Sequence, residues 1–300
     1  MEVVIAGAGS IGLLIGSYLS EVGMNVTFYV RREEQAELLH VEGVCRINQD
    51  GSEGVFYANA TTKIEDTSLE ALWIAAVKYA GLRELLSDMK KVHETHPVLF
   101  VQNGIGHIEL VHGTTLLDIA FATVEHGAQR IDDRTVKHNG VGMITIAAAR
   151  GDGRLFERIG QANSKSFPIT FHSDSEQILM RKVLINCMIN PLTAILGIKN
   201  GDLLTDEYCL LLFNCLYDEL TAAFPEIRSS LPYEAVEDVC RRTACNQSSM
   251  LADRLAGRPM EIETIVSAII RKANGREKSL PLLTTLETML YALDGKGVGL

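Results

Sequence analysis

Lys182, Asn186 and Asn190 recur at four-residue intervals in Leu179-Met180-Arg181-Lys182-Val183-Leu184-Ile185-Asn186-Cys187-Met188-Ile189-Asn190, a stretch that is otherwise almost wholly apolar. On a helix, residues four apart lie one above another, so the three form one narrow polar stripe. A helix that is hydrophobic round most of its girth is normally buried. A buried ammonium and two buried amides each need partners, because unpaired polar groups are costly away from water. The stripe is therefore either a structural network or one face of a cleft. In a cleft, a lysine can supply charge or a proton, and the amides can hold polar groups by hydrogen bonds. Taken alone, a lysine near a helix start often reaches out to water; the joint pattern carries more weight.

A second constellation lies at the N-terminus. Gly7-Ala8-Gly9-Ser10-Ile11-Gly12 separates an apolar run at residues 3–6 from a helical pattern at residues 11–19. In a strand–loop–helix setting these glycines serve a tight turn, close approach to a pyrophosphate and close helix packing. The helix start then offers free N–H groups to phosphate. Phe28-Tyr29-Val30-Arg31-Arg32 ends the next strand-like run with two guanidiniums and no acid. An acid there would serve the ribose hydroxyls of NAD, whereas arginine suits a 2′-phosphate and hence NADP. The alternative is a pair of solvated arginines with Glu33 and Glu34 as partners. Lys78 and Asn103 each follow a later strand, at the edge where open α/β sheets bind ligands.

Further polar groups follow the stripe. Asn200-Gly201 reads as a turn and adds another amide, while Asn246-Gln247-Ser248-Ser249 opens a helix, where Ser or Asn is expected simply as a cap. Glu261 and Glu263 follow Pro259 in what reads as a first helical turn, where acids complement the helix dipole. Spacing does not choose between them.

These groups need a scaffold. Residues 3–6, 25–30, 72–77 and 98–102 are strand-like, with helical patterns between them, and residues 119–124, 135–138 and 143–147 continue the series. Residues 44–48 and 55–58 flank Asn48-Gln49-Asp50-Gly51 as a hairpin. Alternating strands and helices predict an α/β Rossmann-type domain with a mainly parallel sheet over residues 1–170. From about residue 171 only helical spacing remains, which predicts an all-α domain over residues 171–300. Pro191 is expected to break or kink its helix just after Asn190.

Composition narrows the classes. The 300 residues carry a net charge of −10 with 47% hydrophobic content, which argues against a nucleic-acid surface or a polybasic membrane anchor. No apolar run is expected to approach a membrane span, and no signal-peptide pattern opens the chain. The six cysteines form no C-x-x-C pair, as expected of reduced thiols in a cytoplasmic protein. The eight histidines show no metal-ligand spacing, so no metal is expected. His126 reads as structural or close to a cofactor.

The ordered set Gly7 to Gly12, Val77-Lys78, Gln102-Asn103-Gly104-Ile105-Gly106, Lys182…Asn186…Asn190-Pro191-Leu192-Thr193-Ala194, Asn200-Gly201, Ser248-Ser249-Met250…Asp253 and Glu261-Ile262 resembles the ketopantoate reductase family across nearly the whole chain. The resemblance implies a Rossmann domain, a helical domain and an active site in the cleft between them. It implies NADPH-dependent reduction of 2-dehydropantoate (ketopantoate) to pantoate in pantothenate biosynthesis. Lys182 would be the general acid, with Glu261 beside it. Asn186, Asn190, Asn200, Asn246, Ser248 and Ser249 would bind the 2-oxo acid. Gly7, Ala8, Gly9, Ser10, Ile11, Gly12, Arg31, Lys78, Asn103 and Ala128 would contact NADP. The family includes homodimers. Two other readings stand beside this one: a reductase of another branched 2-oxo acid on the same scaffold, and a non-catalytic NADPH-binding regulator.

Overall fold

Val3, Val4, Ile5 and Ala6 are wholly buried, as expected of a strand covered on both faces of a parallel sheet. A computed structural model describes residues 2–92 and 96–295. They fall into two compact units. One comprises residues up to Gln102 together with His107–Leu179; the other comprises Asn103–Gly106 together with residues from Met180 onward.

The first unit holds twelve strands: β1 (Glu2–Ala6), β2 (Asn25–Tyr29), β3 (Val44–Ile47), β4 (Glu53–Phe56), β5 (Asn59–Thr61), β6 (Leu72–Ala75), β7 (Val98–Phe100), β8 (Ile119–Val124), β9 (Gly127–Arg130), β10 (Thr135–Gly140), β11 (Ile144–Arg150) and β12 (Ile169–His172). Eight of them form one sheet in the order β12-β11-β8-β7-β6-β1-β2-β5. All its pairings are parallel except β11 with β8. Chain order reverses at β1, the switch point where such sheets bind ligands. Ala6 stands opposite both Tyr29 and Ala75, and Ala75 opposite Phe100. The segments starting at Gly7, Val30, Ala76 and Val101 therefore all leave one edge of the sheet.

The remaining strands make a second sheet, β4-β3-β10-β9. The expected hairpin is its β3–β4 arm, with Asn48 N–H bonded to Ser52 O at 2.8 Å. That β10 should pair with β3 was not legible, because the partners are far apart in sequence. Helix α1 (Ser10–Glu21) touches strands of both sheets, which explains why its residues from Gly12 to Leu19 are buried without a break. The unit also carries α2 (Glu33–Glu42), α3 (Tyr79–Val92) and the single turns α4 (Ile108–His112) and α5 (Arg154–Glu157). Tyr18 on α1 meets His138 Nδ1 at 3.0 Å, and His138 Nε2 meets His126 Nδ1 at 3.0 Å. Gly142 N–H donates to that same His126 nitrogen at 3.2 Å, and Phe167 stacks on both Tyr18 and His126. His126 thus lies in a buried hydrogen-bonded chain.

The second unit is helical. It contains α6 (Ser175–Leu196) from Met180 on, then α7 (Asp202–Thr205), α8 (Glu207–Ala223), α9 (Ile227–Ser230), α10 (Tyr233–Arg242), α11 (Ser249–Leu255), α12 (Ala268–Asn274) and α13 (Pro281–Asp294). A π turn, Glu263–Ser267, leads into α12. The units divide at Leu179, inside α6, where residue 170 was expected; β12, which ends at His172, still belongs to the sheet.

Of the two outcomes expected at Pro191, a break does not occur: α6 runs on to Leu196. Val183, Leu184, Met188 and Leu192 are at most 1% exposed. Burying each contributes about 1.5–3 kcal/mol, together more than the roughly 3 kcal/mol that an interior proline costs. By length and composition α6 is also apolar enough to cross a membrane, contrary to expectation, but 78% of its apolar window is buried inside the protein.

His107 supplies a pH test of this packing. Its ring lies against Phe100 and Phe121, and both ring nitrogens are buried without a hydrogen-bond partner among the described residues. Burial lowers its pKa to about 4, and His126 is lowered likewise, by burial and then by neighbouring His138. Both are neutral when folded, whereas the unfolded chain takes up protons below about pH 6.5. Their contribution to stability is therefore complete above that pH and is lost as pH falls towards about 4. His107→Phe should lessen the drop in melting temperature between neutral and mildly acidic pH; an unchanged drop would remove His107 from the effect.

Candidate active site

The glycine loop has the shape a pyrophosphate requires. Gly7 adopts φ +99°, and its N–H donates to Tyr29 O at 2.9 Å. A Cβ on Gly12 would stand 1.9 Å from Gly7 O, so the helix can seat against the loop only with glycine there. A Cβ on Gly9 would meet nothing within 4 Å, leaving its side open to a ligand. Gly9 caps α1 with no side-chain bond, and the first turn carries no acid. The N-terminal N–H groups and the positive end of the helix dipole are therefore available to an anion. The residues present fit a dinucleotide.

The other expected cofactor residues sit round the same edge. Arg31 is exposed and makes no ion pair among the described residues. Arg32 pairs with Asp133 at 2.5 Å, not with Glu33 or Glu34 as the alternative reading proposed. Lys78 is exposed just before α3. Its loop is held by Gln102 Nε2, which donates to Ala75 O and Val77 O at 2.8 and 3.0 Å. Ala128 lies in β9 opposite His138 and packs against the core of its unit. Gln35, unremarked in the sequence, donates to Ala8 O at 3.3 Å; no local motif announces it.

In the helical unit the polar stripe is graded. Lys182 and Asn186 are half-buried, while Asn190 is only 4% exposed. Their helical neighbours Val183, Leu184, Ile185, Cys187, Met188 and Ile189 are buried. Lys182 and Asn186 thus open to a surface, and Asn190 belongs to a network. Its Nδ2 reaches Ser249 Oγ at 3.5 Å. Ser248 is buried and spoken for: its Oγ caps α11 through Leu251 N–H at 3.2 Å and accepts from Thr193 at 2.7 Å. The capping reading therefore holds for Ser248, whereas Ser249 is exposed. Asn200 donates to Thr243 Oγ1 at 2.9 Å, and its N–H to Asn246 O at 3.1 Å. Asn200 Oδ1 is buried without a hydrogen-bond partner among the described residues. Asn190, Ser248 and Ser249 are thereby brought into one cluster, and Asn200 and Asn246 into a second.

Geometry separates the two glutamates that spacing left equivalent. Glu263 is exposed, with Arg271 at 2.7 Å and Tyr291 Oη at 3.2 Å. Glu261, half-buried, accepts from Asn103 Nδ2 at 3.1 Å. The π turn that begins just after Glu261 builds this contact. Its Thr264 carbonyl accepts Ile105 N–H at 2.9 Å and Gly106 N–H at 3.3 Å. Its Ile265 carbonyl accepts the Cys187 thiol at 3.4 Å, from within α6. π turns interrupt α-helices mostly as single turns, often at functional sites. Thr264 was missed in the sequence; Gly104 was named only within the Gln102–Gly106 motif, which does not say what the loop rests on. Among the described residues no group of three His, Cys, Asp or Glu is placed to hold a metal.

Residues 3–151 match the family model described as ketopantoate reductase PanE/ApbA, and residues 174–294 match that of its C-terminal domain. The chain belongs to the ketopantoate reductase family. The 2-dehydropantoate 2-reductase of Listeria innocua is 36% identical over 299 residues, covering 99% of this chain and 98% of that one. The enzyme of the same name from Bacillus subtilis is 35% identical over 281 residues, 91% of each. A crystal structure of the probable 2-dehydropantoate 2-reductase from Bacillus subtilis is 32% identical and covers 98% of this chain and 100% of that one, with a TM-score of 0.87. At 21% identity and a TM-score of 0.86, covering 99% of each chain, a D-mandelate dehydrogenase solved with NADH and anilino(oxo)acetate shares the fold.

In this member of the ketopantoate reductase family, Gly104 is constrained in two ways. It adopts φ +76°, and a Cβ there would stand 2.0 Å from Thr264 O. Gly104→Ala should cost about 1–3 kcal/mol or more from strain and collision, read as a lowered melting temperature. A variant as stable as the parent would show that the loop rests on the π turn only loosely.

Proposed function

We propose that this chain reduces ketopantoate to pantoate with NADPH, serving pantothenate biosynthesis in the cytoplasm, and that Lys182 is its general acid. The observation that carries the reading is the stripe on α6: a lysine and an asparagine half-open on a helix whose neighbouring residues are buried. It stands in a chain that matches reductases of this name along its full length. A protein that only bound nucleotide would have no use for such a stripe.

NADPH, when bound, supplies the hydride. The glycine loop would hold its pyrophosphate on the α1 N-terminus, and Arg31 its 2′-phosphate. Reduction leaves negative charge on the carbonyl oxygen of the substrate. A protonated Lys182 aimed at that oxygen stabilises the charge and delivers the proton. Partial burial disfavours the ammonium, while the Glu261 carboxylate and the carboxylate of the substrate favour it. Lys182 therefore stays cationic once substrate is bound. Asn103, bonded to Glu261, fixes the direction of that carboxylate. Asn186, Asn190 and Ser249 would hold the hydroxyl and carboxylate of the substrate, and so fix its reacting carbon. Asn200 has a spare buried carbonyl oxygen that can accept a hydroxyl.

Following NADPH oxidation with ketopantoate tests the reading directly. Robust turnover supports it, turnover only with other 2-oxo acids moves the substrate, and none with any 2-oxo acid overturns it. Lys182→Ala should lower kcat by about 10² or more with NADPH binding retained. Near-full turnover in that variant would take Lys182 out of the chemistry.

A further inference from the structure

The glycine loop and the turn between β9 and β10 are tied by one side chain. Gln35 Nε2 donates to Ala8 O at 3.3 Å and to Asp133 O at 2.9 Å, which holds the turn at the rim of the loop. The carboxylate of Asp133 also collects two guanidiniums on a single oxygen: Oδ1 takes Arg32 at 2.5 Å and Arg130 as well. Two guanidiniums that meet on one atom are close neighbours. Arg31 adjoins Arg32 in the chain, exposed and without an ion pair among the described residues. Three guanidiniums thus gather where the second strand ends, with Asp132 and Glu34 also acting on the cluster. In a dinucleotide-binding sheet that is where the ribose of the adenosine lies.

We propose that Arg130, carried in from the second sheet, completes a three-arginine clamp for the adenosine 2′-phosphate, in which Asp133 holds Arg32 and Arg130 together. Unpaired, those two cations would repel each other; a shared carboxylate holds them together, and since Arg130 Nε donates to Asp132 O at 2.9 Å, it is the remaining N–H groups of the two guanidiniums that are left for an oxyanion. Arg32 in turn holds the Asp133 carboxyl below its ordinary range, so the holding charge persists into mild acid. The inference rests on the NADP reading above. Its rival is that Asp133 itself serves the ribose hydroxyls, as the acid of an NAD site does.

Calorimetric binding of adenosine 2′,5′-bisphosphate and of 5′-AMP to the whole protein separates these cases without turnover. The parent should bind the bisphosphate more tightly than 5′-AMP. Arg130→Gln should weaken the bisphosphate by about tenfold, the size of one lost charge-assisted hydrogen bond, and leave 5′-AMP unchanged. Arg130→Lys, which keeps charge but not the fork, should recover part of the loss. The proposal is overturned if Arg130→Gln leaves the bisphosphate unchanged while Arg31→Ala weakens it. It is equally overturned if Arg130→Gln weakens both ligands alike, which marks a structural turn, or if Asp133→Asn weakens 5′-AMP, which marks the rival. A parent that binds both ligands equally overturns the NADP reading itself.

Discussion

One carbonyl oxygen, that of Thr264, accepts two backbone amides from the loop that follows β7. The candidate site in the helical unit is organised round this point. The loop brings Asn103 to Glu261, the same π turn takes the thiol of Cys187 from α6, and α6 carries Lys182. Backbone carbonyls inside an α-helix are spent on its own amides. The two carbonyls of the π turn are turned outward and used as anchors. Gly104 makes this possible, because its left-handed conformation and missing Cβ let the chain pass close to the anchor.

Anion handling follows a similar economy. The chain as a whole is acidic, with a net charge of −10, yet the edge of the sheet at the end of β2 gathers arginines and the start of α1 carries no acid. Global charge governs solubility and nonspecific partners, whereas recognition of a phosphate depends on charge within a few ångströms. Asp133 is an acid that gathers cations: one of its oxygens takes both Arg32 and Arg130.

Local chemistry was legible in the sequence, and long-range packing was not. The glycine loop, its flanking strand and helix, and the run of helices after residue 171 follow from periodicity and turn residues, and they stand in the structure. The second sheet was not legible because β10 pairs with β3 across a long stretch of chain. Pro191 misled because propensity says nothing of the burial that holds α6 together on both sides of it. Glu261 and Glu263 are equivalent as helix-start acids; only the π turn, a product of tertiary contacts, points one at Asn103 and leaves the other to Arg271. Ser248 looked like a cap and is one. The roles proposed for Lys182 and its asparagines come from the resemblance, since spacing shows only that they share a face.

The π turn has a consequence for how this sequence can change. Such a turn contains one residue more than the α turn it replaces. The extra residue leaves the helix on either side nearly in phase and frees carbonyls that a regular ladder would spend on its own amides. Removing a single residue from Glu263–Ser267 would let the α ladder close and draw the carbonyls of Thr264 and Ile265 back into it. Every side chain would survive that deletion, yet the loop that carries Asn103 and the thiol of Cys187 would lose their anchors. At this point the length of the chain is itself a structural trait, and a lost codon is graver than most exchanged ones.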